Sequence, residues 1–269
     1  MAYIEREFGK VGTVAKGRIE IFLIGGAGLA FYRLKEATKD VDVILKTRRD
    51  VEELMETLKK LEYRSVRRLS TSYKKMGAFE IVENSDGLRW DIFHLLVCDA
   101  LVLSSRIISR AASIYEGGNL TVFLASKEDV FLFKGVTERS ADLDDMRVIA
   151  ESGLDWDIVF EECVYQSKTS GRLWENALYG NLVDLREVYG IKSPIEERLR
   201  RRAEAKLVEM NIVDAIREGK NVVKEIANEI NEPEWFVRRT VNELVENGVL
   251  MADKSKHPFR YFLAQELRN

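Results

Sequence analysis

Three aspartates carry the chemistry that stands out in this sequence. Asp40 and Asp42 alternate with valines in Thr38-Lys39-Asp40-Val41-Asp42-Val43-Ile44-Leu45. Such alternation marks a strand whose successive side chains point to opposite faces, here with Val41 and Val43 inward and both carboxylates on the other side. Two carboxylates about 5 Å apart at an effective dielectric of ~20 repel by roughly 3 kcal/mol, so a cation belongs beside them. A divalent ion with oxygen ligands, Mg²⁺ or Mn²⁺, relieves that repulsion and completes its shell with water and substrate phosphates. An isolated Asp-x-Asp also fits a solvated strand face, and the neighbourhood has to decide. Upstream, Gly25-Gly26 directly follows the apolar run Ile19–Ile24 and precedes a helix predicted from Leu29. Glycines there let the backbone approach a phosphate, and amides at a helix start suit an anion. Asp91, in Arg89-Trp90-Asp91-Ile92-Phe93, puts a third carboxylate inside a later strand. If the three form one site, their carboxylates converge beside the Gly25-Gly26 turn.

The elements that must position these residues are legible as patterns. Residues 49–61 space Val51, Leu54, Met55, Leu58 and Leu61 as one helix face. Two strands over 78–82 and 88–94 flank Asn84-Ser85-Asp86-Gly87, a hairpin signal. From 126 to about 190 the pattern turns helical: Ser126 with Asp129 caps a first helix, Gly153 closes the next, and 172–189 continues the helical spacing. Ser193-Pro194-Ile195-Glu196 then opens a long helix ending at Gly219. Helices over 222–230 and 233–246 follow, and strands over 249–252 and 259–263 flank Asp253-Lys254-Ser255-Lys256-His257-Pro258. Helix, helix, turn, helix and a two-stranded wing describe a winged helix-turn-helix. The reading is an α+β protein: a mixed sheet flanked by helices over 1–125, a helical extension over 126–192 that completes that core, and a small C-terminal winged-helix domain over 193–269.

On Gly25-Gly26, the thirteen residues before Asp40-Val41-Asp42, and the later Asp91, the sequence resembles the nucleotidyltransferase superfamily, with its polymerase-beta-like fold, and especially the minimal branch related to AbiEii-like toxins. Ser126 to Lys134 is similar to that family's helix with a serine or threonine and a downstream lysine, and Arg139 with Asp142 and Asp145 resembles its closing motif. Gly26 stands where many members carry a serine, and Ala141 where a basic residue often precedes the aspartate. The resemblance implies that Asp40, Asp42 and Asp91 are the catalytic and metal-binding carboxylates and that Gly25, Gly26 and Lys134 contact the nucleotide. It also implies transfer of NMP from an NTP to an RNA, protein or small-molecule acceptor, in a toxin–antitoxin or defence setting. Lys134 reads equally as a surface lysine on an apolar helix, and Asp142 and Asp145 as first-turn aspartates favoured by the helix dipole.

Composition bounds the rest. With 269 residues, 46% hydrophobic and 32% charged, and only 3 prolines, the chain is that of a globular protein with a sizeable core. Cys98 and Cys163 are too few and too far apart for a metal knuckle and read as small buried hydrophobes. No apolar run reaches membrane-spanning length, and Met-Ala-Tyr-Ile-Glu-Arg-Glu lacks a signal-peptide layout, so a cytoplasmic protein with no membrane partner is expected. A net charge of −3 means that any nucleic-acid surface is local. In the winged helix, Val237, Val241 and Leu244 form the core stripe and leave Arg238 and Arg239 outward, while Lys254, Lys256 and Arg260 decorate the wing; Trp235, Phe236 and Tyr261 read as core. Duplex DNA, a protein partner and a second copy of the chain all fit that surface. Two functions stand: the transferase, and a catalytically inactive nucleotidyltransferase-like scaffold acting as a DNA-binding regulator or interaction partner through its winged helix.

Overall fold

The computed structural model describes residues 2–36, 38–66, 77–97, 101–136, 140–255 and 257–264. Two compact units divide between Leu199 and Arg200.

In the first unit the chain runs α1 (Ala2–Val14), β1 (Ile19–Ile24), α2 (Gly25–Phe31), β2 (Asp40–Leu45), α3 (Arg48–Lys60), β3 (Arg64–Ser65), β4 (Glu80–Glu83) and β5 (Arg89–His94). It continues through β6 (Leu96–Val97), β7 (Leu101–Val102), α4 (Ser105–Arg110), β8 (Ala112–Gly117) and β9 (Leu120–Leu124), then α5 (Lys127–Lys134), α6 (Ser140–Glu151), α7 (Trp156–Ser170) and α8 (Trp174–Tyr189). Among the described residues seven of these strands build a mixed sheet, β3-β4-β5-β2-β1-β9-β8, and β6 and β7 pair apart from it. The pairs β2·β5 and β1·β9 are parallel and the other neighbours antiparallel.

Period-two alternation divides the sheet into two faces. Ile21, Leu23, Val41, Val43, Trp90, Ile92 and Val122 are buried beneath α1 and α3, whose Phe8, Val11, Val51 and Leu54 complete that layer. Phe22, Ile44 and Phe93 point the other way, into a layer filled by Val130, Phe131 and Phe133 of α5, Val159 and Cys163 of α7, and Leu178 and Leu182 of α8. Asp40, Asp42 and Asp91 lie on this second face, toward the starts of their strands, where the apolar layer gives way to polar residues. The hairpin between β4 and β5 is closed by Asn84, whose Oδ1 accepts the N–H groups of Asp86 and Leu88 at 3.0 and 2.9 Å.

The second unit contains the greater part of α9 (Glu196–Arg217), then α10 (Val223–Ile230), α11 (Glu234–Glu246), and the antiparallel pair β10 (Leu250–Asp253) and β11 (Arg260–Leu263). Ile212, Ile216, Ile226, Val237, Val241, Leu244 and Tyr261 form its core. Trp235 departs from the expectation: it is 68% exposed, because its place in the first turn of α11 turns it away from the Val237–Val241–Leu244 stripe. Among the described residues no helix is long and apolar enough to cross a membrane.

Candidate functional site: three aspartates and an arginine

Register fixes the site. Ile24 of β1 pairs with Asp42 of β2, and Asp42 pairs with Asp91 of β5, so the two carboxylates are neighbours across one parallel ladder. Asp40, two residues earlier, pairs with Arg89. Thr38 pins the start of β2, its Oγ1 accepting the Asp40 N–H at 3.1 Å. Directly after Ile24 the backbone folds over Asp42: Gly25 has φ +60°, and a Cβ built there would run into the Asp42 carboxylate. Only glycine combines that left-handed conformation with so close an approach. The Gly26 N–H donates to Asp42 Oδ2 at 3.3 Å. The helix therefore begins at Gly25, four residues earlier than the apolar pattern predicts, and the glycine pair forms its first turn.

Asp42 reaches the glycine turn, whereas Asp40 and Asp91 converge on Arg89. Arg89 Nε donates to Asp91 Oδ1 at 2.8 Å and Nη2 to Asp91 Oδ2 at 3.3 Å, a two-pronged pair. The same Nη2 lies 3.1 Å from Asp40 Oδ2. Asp91 is 1% exposed, while the Asp40 side chain is 43% exposed. Burial, then the neighbouring Asp42 and, less strongly, Asp40, push the Asp91 carboxyl up to about 7 against the opposing pull of Arg89. The sequence reading missed Arg89, although its place two residues before Asp91 on one strand face was a usable signal.

The donor set is of the kind a hard divalent cation takes: three carboxylates, two of them in direct register. Among the described residues, however, no three His, Cys, Asp or Glu side chains are arranged to hold a metal ion, and the Arg89 guanidinium stands between Asp40 and Asp91. The oxygens of Asp40, Asp42 and Asp91 are of the donor type that Mg²⁺ or Mn²⁺ takes, and Arg89 already engages two of the three carboxylates.

Lys134 is not a surface lysine. It is buried at the end of α5, with Nζ 2.6 Å from Asp142 and 2.7 Å from Asp145, both on α6. Burial lowers its pKa, but the two aspartates more than offset this and leave it raised. Asp145 also pairs with Lys35, which follows α2, at 3.1 Å. A Cβ on Gly26 would lie 3.3 Å from Thr38 Oγ1 and 3.8 Å from Lys35 Nζ, so this chain of charges starts beside the glycine turn. Nothing in the spacing pointed to Lys35. Arg139, Lys256 and Cys98 lie outside the described residues.

Elsewhere in the first unit, Arg110 binds the buried carboxylates of Asp129 and Glu162, the shorter contacts being 2.5 and 2.7 Å. A separate cleft beside β3, lined by residues including Met55, Lys59, Glu62, Tyr63, Arg64 and Val82, contains none of the candidate site residues. In the second unit Arg238, Arg239, Lys254 and Arg260 are exposed. Arg239 is 3.7 Å from Glu243 and lies over the Phe236 ring.

No model of a known protein family matches the sequence, and no curated protein is similar to it.

Proposed function

We propose that the protein is a metal-dependent nucleotidyltransferase that moves NMP from an NTP to a hydroxyl-bearing acceptor, which the resemblance leaves as RNA, protein or a small molecule. One observation carries the reading: Asp42 and Asp91 stand in register on adjacent parallel strands, with Asp40 on the same face and the Gly25-Gly26 backbone laid against Asp42. The acceptor's hydroxyl oxygen attacks the α-phosphorus and gives up its proton to water, the bond from that phosphorus to the bridging oxygen breaks, and pyrophosphate leaves with the electron pair. Asp40, Asp42 and Asp91 would hold Mg²⁺ or Mn²⁺, which would supply charge neutralisation for the phosphates. The chain's own contribution is position. Gly25 admits Asp42 to the turn, Thr38 fixes the start of β2, and the β2·β5 register sets the spacing of the carboxylates. Lys134 acts on α6 through Asp142 and Asp145, and its service as a counter-charge to phosphate requires it to exchange one of those partners.

The second unit reads as a winged helix-turn-helix, with α11 as the recognition helix and β10 and β11 as the wing. A second reading, in which the scaffold no longer transfers nucleotides and acts through this unit, is favoured by Arg89 standing where a cation is needed. Incubation with each labelled NTP, Mg²⁺ and total RNA separates the two. Label transfer that is lost in Asp42→Asn supports the transferase, whereas no transfer and no metal-dependent heat with any NTP leaves the scaffold.

A further inference from the structure

The strand register and the hydrogen bonds place Arg89 at the centre of the aspartate cluster, where the metal-site reading has no use for it. Its Nη2 is within 3.3 Å of a carboxylate oxygen from each of two strands, Asp91 of its own and Asp40 of the parallel neighbour. These are two of the three carboxylates assigned to the metal. A guanidinium does not lose its proton, so this charge cannot be removed by titration and can only be moved. The surroundings permit the movement: the Arg89 side chain is 19% exposed, against 1% for that of Asp91. Arg89 therefore competes for the same carboxylate oxygens that a divalent ion would take.

We propose that Arg89 is a tethered cation that occupies the Asp40–Asp91 pair in the metal-free protein and is displaced from it when a divalent ion binds. The inference rests on the metal-site reading and adds that divalent affinity is set by intramolecular competition. Arg89 satisfies the buried Asp91 while the site waits, at the cost of weaker binding of bare metal. It is a positioning residue, because it acts through the two carboxylates.

Titration of the full chain with Mn²⁺, followed by the EPR signal of the free ion, tests it. Arg89→Gln removes the charge and keeps a polar side chain. Its apparent Mn²⁺ affinity should rise tenfold or more, and Asp40→Asn in that background should reverse the gain. Unchanged or weaker binding by Arg89→Gln overturns the proposal. If that variant does not fold, the wild-type protein still decides. The Arg89 Nε–H resonance should move and exchange faster with water as Mg²⁺ is added, and a resonance unmoved at tens of millimolar Mg²⁺ overturns the displacement. The two levels of failure differ in pattern. Wild-type Mn²⁺ binding that is lost in Asp42→Asn, with no gain in Arg89→Gln, defeats the tethered cation and leaves the metal site standing. No Mn²⁺ binding by either protein defeats both.

Discussion

Asp91 sits between Asp42 on β2 and Ile81 on β4, so the strand pairing that brings it to the site also removes it from water. Its carboxyl is pushed up to about 7, above the roughly 3.9 of an unfolded aspartate. The folded protein thus holds this proton more tightly than the unfolded chain does. The stability gained is complete below the unfolded value and lost as pH rises through about 7. In EDTA, the melting temperature of the wild type should therefore decline between pH 4 and 7 by more than that of Asp91→Asn. Parallel curves would mean that the carboxyl is not so shifted. Gly25→Ala addresses the neighbouring constraint: a left-handed alanine costs about 1–2 kcal/mol, and its methyl group would displace the Asp42 carboxylate. Urea unfolding should show that loss, accompanied by weaker Mn²⁺ binding. A variant with unchanged stability and metal affinity would remove the reason given for the glycine.

At the scale of elements, Arg110 at the end of α4 joins α5 through Asp129 and α7 through Glu162. Arg110→Met leaves two carboxylates buried without their cation, a loss of about 3–5 kcal/mol in denaturant unfolding. Adding Asp129→Asn and Glu162→Gln should restore part of it, because the remaining groups are then neutral. A single variant as stable as the wild type would show that these helices do not depend on the network. Asp129 also shows what sequence reading can reach. Its role beside the capping Ser126 follows from spacing, and Asp129 N–H does donate to Ser126 Oγ, yet its main partner comes from nineteen residues upstream. The strand carrying Asp40 and Asp42, the helix α3 and the hairpin at Asn84 were legible because each repeats its period cleanly. β8 was not, since its residues are exposed or half-buried on both faces and a register shift falls between Ser113 and Tyr115. The three aspartates are each legible in the sequence, and Arg89 shares a strand face with Asp91 two residues on, but its contact with Asp40 and the arrival of Lys35 come only from strand register and loop path, which local patterns do not encode. Lys134 and Asp142 were both visible, and only the packing of α5 on α6 shows that they neutralise each other.

On the scale of the whole molecule, each unit has its own apolar core, so a fragment comprising 200–269 should fold by itself and melt cooperatively. If it binds duplex DNA through Arg238, Arg239, Lys254 and Arg260, log affinity should fall with log salt by about 0.9 per phosphate contact. Replacing Arg238 and Arg260 by alanine in the full chain should flatten that slope by roughly two contacts. Salt-independent binding, or self-association without DNA binding, would instead assign this surface to protein contacts. The sheet of the first unit has a further consequence for synthesis. β1, with the sequence Ile19-Glu20-Ile21-Phe22-Leu23-Ile24, is flanked by β2 on one side and on the other by β9, which the ribosome delivers about a hundred residues later. Until Leu120–Leu124 emerges, the growing chain carries an apolar strand with one edge unpaired, a template for pairing with another nascent chain. Translation products that stop short of residue 120 should therefore be the ones that chaperones retain or that aggregate, and those that extend past Leu124 should escape.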